Sequence, residues 1–321
     1  MNTKREGATR AVNYLSVLGV LIMLGFFTGD VFGADSFLTP LGPIAEAERT
    51  HLIRVIGITM IAIVPVLVGV PLILWRYRRG NKRAVYRPDW TFSKPLEITM
   101  WGVPILIICI LGFWLWHHTV RFDPYKPLGD NPLQIQVVGL DWKWLFIYPE
   151  QGVASVGEMA IPVDRPVSLT LTTDTVMQSF MVSALAGQIY AMPGMETKLN
   201  LIADRPGTTL GQNTQYSGEG FAQQKFTVHA LPEADWNAWV NEAQKAPLAL
   251  NTRIYERLAR RGSLAEARAA LAPEQSAGSL LFSSIPPDLF KSIVSRYHDG
   301  TSVTAKQQPG SPAYQSGDEH E

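Results

Sequence analysis

Two apolar runs, Val55–Trp75 and Ile98–Trp116, constrain this chain more than any other feature of its sequence. Each is close to the roughly 20 residues that a helix needs to cross a bilayer. Pro65 and Pro71 lie inside the first run, where bilayer helices tolerate them. Between the runs stand Arg76, Arg78, Arg79, Lys82, Arg83, Arg87 and Lys94 against one acid, Asp89. Basic loops stay on the cytoplasmic side, so residues 76–95 are expected inside and everything beyond about His117 outside. The runs therefore predict a transmembrane helix hairpin within residues 34–120, with spans near 55–75 and 97–116. Residues 1–33 carry Lys4, Arg5 and Arg10 before a charge-free stretch from Ala11 to Gly29. They fit either a signal peptide or a first membrane segment.

Beyond the hairpin the composition changes to that of a water-soluble domain. Leu133–Val138, Trp142–Tyr148, Val167–Leu171 and Thr197–Ile202 read as strands. They are separated by turn-forming stretches such as Pro162–Pro166 and Arg205–Gly207. Several short strands of this kind predict a β-sandwich. Glu233–Trp239 reads as the start of a helix after Pro232, and Tyr255–Ala272 as one further helical stretch. The polar tail 299–321 is expected to be disordered. A formal net charge of zero gives no general attraction to nucleic acid. A single cysteine, Cys109, excludes an intrachain disulfide. No nucleotide-binding glycine loop or nucleophile triad stands out.

Two separate stretches carry the functional signal. One is Met177–Gln178–Ser179–Phe180, and the other runs from Gln215 through Tyr216, Gly220 and Gln224 to Thr227. Together with Asp141–Gly152 and Gln188–Met192, they closely resemble subunit II of the cytochrome bo-type ubiquinol oxidases, within the haem–copper oxidase superfamily. The resemblance covers roughly residues 45 to 300. It implies a cupredoxin-like Greek-key sandwich over about 131–232, so that the outer domain spans 121–245. It also implies a C-terminal helical, aromatic-rich region at 246–298, including Leu281–Phe290. The fold class expected is a membrane-anchored all-β protein: helix hairpin, cupredoxin-like sandwich, C-terminal helices.

In cytochrome c-oxidising members of the superfamily, a binuclear copper centre uses a histidine from an H-S-F/W stretch and a C-x₃-C-x₃-H-x₂-M loop. Laid on that pattern, this chain offers Gln178, Tyr216, Gly220, Gln224 and Thr227. None supplies the thiolate, imidazole or thioether that a copper pair needs, and Cys109 lies in an apolar run. No metal or cofactor is therefore expected on this chain, and the resemblance implies haems and copper in a partner subunit I. It further implies smaller partner subunits, ubiquinol as the substrate of the complex, and the bacterial inner membrane as location, with the C-terminal domain periplasmic. Relatives often carry an acylated cysteine after their signal; this chain has none to acylate.

Several residues admit two readings. Glu97 either favours a helix N-terminus at the headgroups or, by the resemblance, marks the mouth of a proton pathway into subunit I. Trp142 and Trp144 would share one face of a strand, and packing or contact with subunit I is the expected role. Adjacent His117 and His118 diverge by about 100° on a helix, so they do not converge easily on one metal. His229, Met192 and Met195 are expected to be structural. Two other functions are distinguishable: a cytochrome c oxidase subunit with its copper centre, which the missing ligands oppose, and a free-standing membrane-tethered copper chaperone. A chaperone needs an exposed Met/His/Cys set that the outer domain does not show.

Overall fold

A computed structural model describes residues 37–79, 81, 88–274, 278–298, 304, 306 and 313. The expected leader at 1–33 and almost all of the tail at 299–321 lie outside the described residues.

Helix α1 runs Pro43–Arg76 and α2 Lys94–Arg121; each has proline in its first turn, where no N–H is needed. Both are long and apolar enough to cross a membrane. They exceed the expected spans. The 34 residues of α1 reach about 51 Å, well past a hydrocarbon core of about 30 Å. The surplus lies at the N-terminal end, where Ile44 and Ala45 are buried against the sandwich. Gly42 makes that approach possible, because a Cβ there would lie 2.2 Å from the Ile202 carbonyl oxygen.

The soluble domain is a sandwich of two mixed sheets. Its strands are β1 (Leu133–Leu140), β2 (Lys143–Tyr148), β3 (Val153–Val156), β4 (Glu158–Pro162), β5 (Val167–Thr173), β6 (Gln178–Val182), β7 (Ala186–Ala191), β8 (Thr197–Leu201), β9 (Gly207–Asn213), β10 (Lys225–Leu231) and β11 (Leu280–Phe282). One sheet has the order β11-β3-β2-β1-β5-β8, the other β4-β10-β9-β6-β7. The pairs β1–β5 and β4–β10 are parallel, and the other pairings within the sheets are antiparallel.

Strand β2 shows why the first sheet reads as continuous hydrophobicity. Trp144, Phe146 and Tyr148 point into the core between the sheets, and Leu145 and Ile147 into a second core. A sheet covered on both faces needs apolar residues at every position. The second cover is the C-terminal region: α4 (Thr252–Ala259), α5 (Leu264–Leu271) and α6 (Leu289–Ser295), with α3 (Glu233–Gln244) on the first core through Trp236 and Ala243. The region 246–298 thus shares a core with the sandwich, and its β11 extends the sheet. The single helix expected over Tyr255–Ala272 is two helices. A capping box restarts the chain at Ser263, whose Oγ accepts from Glu266 N while its own N–H donates to Glu266 Oε2.

Candidate functional site

The loop after β1, the start of β6 and the segment between β9 and β10 meet at one end of the sandwich. Gln178 and Gln224, both fully buried, face each other there. Gln224 Nε2 donates to Gln178 Oε1 at 2.6 Å and to the Leu140 carbonyl at 3.1 Å. Gln178 Nε2 donates to the same carbonyl at 3.1 Å and to Thr175 Oγ1 at 3.3 Å. Asn213 Nδ2 completes the chain by donating to Gln224 Oε1 at 2.9 Å and to Ser217 Oγ at 3.1 Å. The Asn213 side-chain oxygen Oδ1 accepts from the backbone N–H groups of Ser179 and Gln215. Every carboxamide in this buried network has donors and acceptors matched, as buried polar groups require.

The remaining aligned positions behave differently. Gly220 is buried beneath the Trp142 indole, and a Cβ there would lie 2.1 Å from Trp142 Cδ2. Tyr216 is 72% exposed, with its ring 5.8 Å from Phe221. Thr227 sits in β10 next to Phe226, so strand alternation turns it away from the face that Phe226 buries. The structure therefore brings Gln178 and Gln224 together, sets Gly220 under a ring, and leaves Tyr216 and Thr227 outside the network. A thiolate-bridged copper pair does not fit this donor set of amides and hydroxyls. Among the described residues there is no cluster of three or more His, Cys, Asp or Glu side chains placed for a metal.

Trp142 and Trp144 do not share a face, which corrects the expectation for the pair. Strand β2 begins at Lys143; Trp142 precedes it at φ 67°, in the turn. Half-buried Trp142 donates its indole N–H to the Ser217 carbonyl at 3.2 Å, and the Arg261 guanidinium lies 4.9 Å from its ring centroid. Trp144 is fully buried, edge-on to Phe180 at 5.3 Å. It is a core residue and presents no surface to a partner.

Between the two tryptophans, Lys143 is buried as well. Its Nζ donates to the carbonyls of Asp141 at 3.1 Å, Arg260 at 2.8 Å and Gly262 at 2.9 Å, which pins the α4–α5 junction to the site. Burial holds its pKa down to about 8, against the opposing pull of Asp141 and Glu266. The unfolded chain keeps this proton until about pH 10.5. Between those values the unfolded state binds more protons, so stability rises with pH, by up to about 1.4 kcal/mol per unit. Urea midpoints of the full chain between pH 8 and 9 are expected to rise with pH and Lys143→Met to remove the rise; nearer pH 10 the buried hydroxyls of Tyr148, Tyr255 and Tyr297, whose pKa values burial raises, oppose it.

At the N-terminal end of α2, Glu97 is exposed in the first turn and accepts a hydrogen bond from Trp101 Nε1 at 3.2 Å. His118 lies in the last turn of α2, its ring 4.5 Å from that of His51 and 4.6 Å from that of Phe122.

Comparison with known proteins supplies the context for this geometry. Residues 153–231 match the family described as "Cytochrome C oxidase subunit II, periplasmic domain". A Pseudomonas putida protein named "Cytochrome bo(3) ubiquinol oxidase subunit 2" is 39% identical over 287 residues, covering 88% of this chain and 87% of that one. The chain belongs to the ubiquinol oxidase subunit 2 family. Similar relatives include "Ubiquinol oxidase subunit 2" of Acetobacter aceti, 39% identical over 82% of this chain and 83% of its own length. "Quinol oxidase subunit 2" of Bacillus subtilis is 34% identical over 78% of each chain. Two apolar helices, a cupredoxin-like sandwich and C-terminal helices are thus the architecture of a membrane-bound oxidase subunit 2, with a carboxamide network at the end of its sandwich.

The sequence did not reveal Asn213 and Ser217 as members of that network. Neither belongs to the aligned ligand pattern, and a polar residue at a strand end reads as a turn.

Proposed function

We propose that this chain is the metal-free subunit II of a proton-pumping ubiquinol oxidase. Haems and copper reside in a partner subunit I, which this chain stabilises and covers on the outer side. The observation that carries the reading is the Gln178–Gln224 pair. In a domain of the cytochrome oxidase subunit II family, two positions aligned with copper ligands are spent on hydrogen bonds to each other and to Leu140. Quinol delivers electrons from within the membrane, so no copper relay to a soluble donor is needed on the outside. The basic loop supports a cytoplasmic placement of 76–95 and a periplasmic sandwich. A cysteine introduced at Gly129 should then react with an impermeant thiol reagent in intact cells; protection there would reverse the topology.

The complex purified from native membranes should oxidise ubiquinol, carry its haem in a larger subunit, and lose no copper when this chain is removed. Copper recovered with the isolated chain, at two ions per chain, would overturn the reading.

Glu97 is proposed as an entrance group for protons bound for subunit I. It stands exposed at the cytoplasmic end of α2, where its carboxylate accepts from the Trp101 indole. Glutamine keeps the size and the acceptor but cannot pass a proton. Glu97→Gln should slow steady-state quinol oxidation several-fold, with haem content and assembly unchanged. A helix-end role predicts instead unaltered turnover and a stability change of about 0.3–1 kcal/mol.

A further inference from the structure

Charge is confined to the two ends of the membrane hairpin. No Asp, Glu, Lys, Arg or His stands between Arg54 and Arg76 on α1, or between Glu97 and His117 on α2. The first interval rises about 33 Å, which matches a hydrocarbon core of about 30 Å. Arg54 and His117 therefore share the depth of one headgroup layer, at the end of the hairpin that meets the sandwich. There the two helices line a crevice of about 530 Å³. Thr50 and Arg54 enter it from α1 one turn apart, and Trp114, His117 and Arg121 from α2 at i, i+3, i+7 spacing. The Arg54 guanidinium lies 6.0 Å from the Trp114 ring centroid, and that of Arg121 lies 5.5 Å from the Phe122 ring. Neither arginine has a carboxylate within 4.0 Å among the described residues. The acid at the rim, Glu46, is already held by Arg205 at 2.8 Å and Arg49 at 4.0 Å. The crevice thus carries two guanidinium charges that the chain does not neutralise, beside an indole at interfacial depth. Toward the bilayer centre the same stripes become aliphatic: Ile61 lies seven residues beyond Arg54 and Ile110 four before Trp114, both exposed.

We propose that this crevice holds the headgroup of an anionic phospholipid, its phosphodiester on Arg54 and Arg121 and its acyl chains along Ile61 and Ile110. The planar fork of a guanidinium presents paired N–H groups that match two phosphate oxygens. Thr50 and His117 add a hydroxyl and an imidazole for the glycerol end. Two positive charges without a carboxylate select a headgroup of net negative charge, such as phosphatidylglycerol. Phosphatidylcholine would bring a third positive charge into the same space. The aliphatic stripes below the arginines are what distinguish a lipid from a free anion. One lipid bridging Arg54 on α1 and Arg121 on α2 would fasten the two helices together where they leave the bilayer. This assignment needs only that the hairpin lies in a membrane, so it stands apart from the reading of the chain as a quinol oxidase subunit.

The test uses the full chain in dodecyl maltoside, equilibrated with equal amounts of phosphatidylglycerol and phosphatidylcholine and read by native mass spectrometry. One phosphatidylglycerol per chain should survive release from the micelle, in preference to phosphatidylcholine. Arg54→Gln and Arg121→Gln should each weaken its retention about tenfold, the loss of a hydrogen bond to a charged group. Both arginines are exposed, so neither change opens a core. Arg78, 5.3 Å from the Trp75 ring just past the far end of α1, is the matched control. Arg78→Gln should leave retention unchanged, and excess inorganic phosphate should not displace the lipid. In the intact complex, the Arg54→Gln, Arg121→Gln double variant should lower extractable phosphatidylglycerol by one equivalent. Equal retention of phosphatidylcholine, an equal loss in Arg78→Gln, or displacement by inorganic phosphate would each overturn the proposal. So would a double variant that sheds a partner subunit while its lipid content stays the same, since the arginines would then meet protein.

Discussion

Replacing Asp174 with alanine should cost the folded chain about 3–5 kcal/mol, the usual penalty for breaking a buried ion pair from one side. Asp174 lies between β5 and β6, four residues before Gln178, and its side chain is wholly buried. Arg296 Nη1 donates to both carboxylate oxygens, at 2.8 and 2.7 Å. The Tyr255 hydroxyl donates to Oδ2 at 2.6 Å, and the Tyr297 hydroxyl lies 3.0 Å from Oδ1 and 2.8 Å from the Asp174 carbonyl. One carboxylate therefore ties α4 and the end of α6 to the same end of the sandwich that holds the carboxamide network. Burial raises its pKa despite the attraction of Arg296, so desolvation outweighs that one charge and the flanking hydroxyls matter. Alanine takes the carboxylate away from the Arg296 guanidinium and from the Tyr255 hydroxyl, while the Tyr297 hydroxyl keeps the Asp174 main-chain carbonyl. Asparagine, which keeps the size and one oxygen, should lose less, and Tyr297→Phe about 1 kcal/mol. Urea unfolding of the full chain in detergent, followed by near-UV circular dichroism, measures the loss. Amide exchange should quicken first in Leu280–Tyr297. A loss under 1 kcal/mol for Asp174→Ala would show that the second core alone holds the C-terminal region.

This hub illustrates what was hidden in the sequence. Asp174 follows Thr172 and Thr173 and precedes Thr175, a polar stretch that reads as a surface turn. Its partners lie 81 to 123 residues away, so no local spacing links them. The membrane hairpin was legible because apolar length and the basic loop are local signals. Its N-terminal limit was not, because Glu46, Glu48, Arg49 and Arg54 dilute the hydropathy just where α1 meets the sandwich. The break at Ser263 was legible in principle: Ser263 and Glu266 have capping-box spacing inside an otherwise helical composition.

The candidate site was legible only in part. The resemblance placed Gln178 and Gln224 in one group, and the fold brings them to 2.6 Å. It placed Thr227 there too, where strand alternation turns the side chain away. Nor did it reveal that Gly220 supports the Trp142 ring, since a glycine in a loop is ordinarily read as a turn. Side chains that replace metal ligands need not converge once the metal no longer holds them. Here the loop closes over an indole instead.

Trp144 gives the sharpest separation between a sequence-level role and a structural one. As a docking residue for subunit I, it would be dispensable to the isolated chain. As a core residue, Trp144→Ala should destabilise the isolated full chain by about 3–5 kcal/mol, the cost of removing a large buried aromatic side chain. The geometry favours the large value. The ring is fully buried and meets Phe180 edge-on at 5.3 Å and Phe226 at 6.2 Å, and Phe180 and Phe226 stack at 5.2 Å. Removing it opens a cavity at the centre of this cluster, bounded by two sheets that cannot collapse without breaking their pairing. Its indole N–H is buried without a hydrogen-bond partner among the described residues, so Trp144→Phe loses part of the ring but also an unsatisfied donor. Phenylalanine should therefore cost less than half as much as alanine. Chemical denaturation of the three proteins, without any partner subunit present, measures the order. Equal stability of Trp144→Ala and the unsubstituted chain would return Trp144 to the surface and undo the assignment of β2 to both cores.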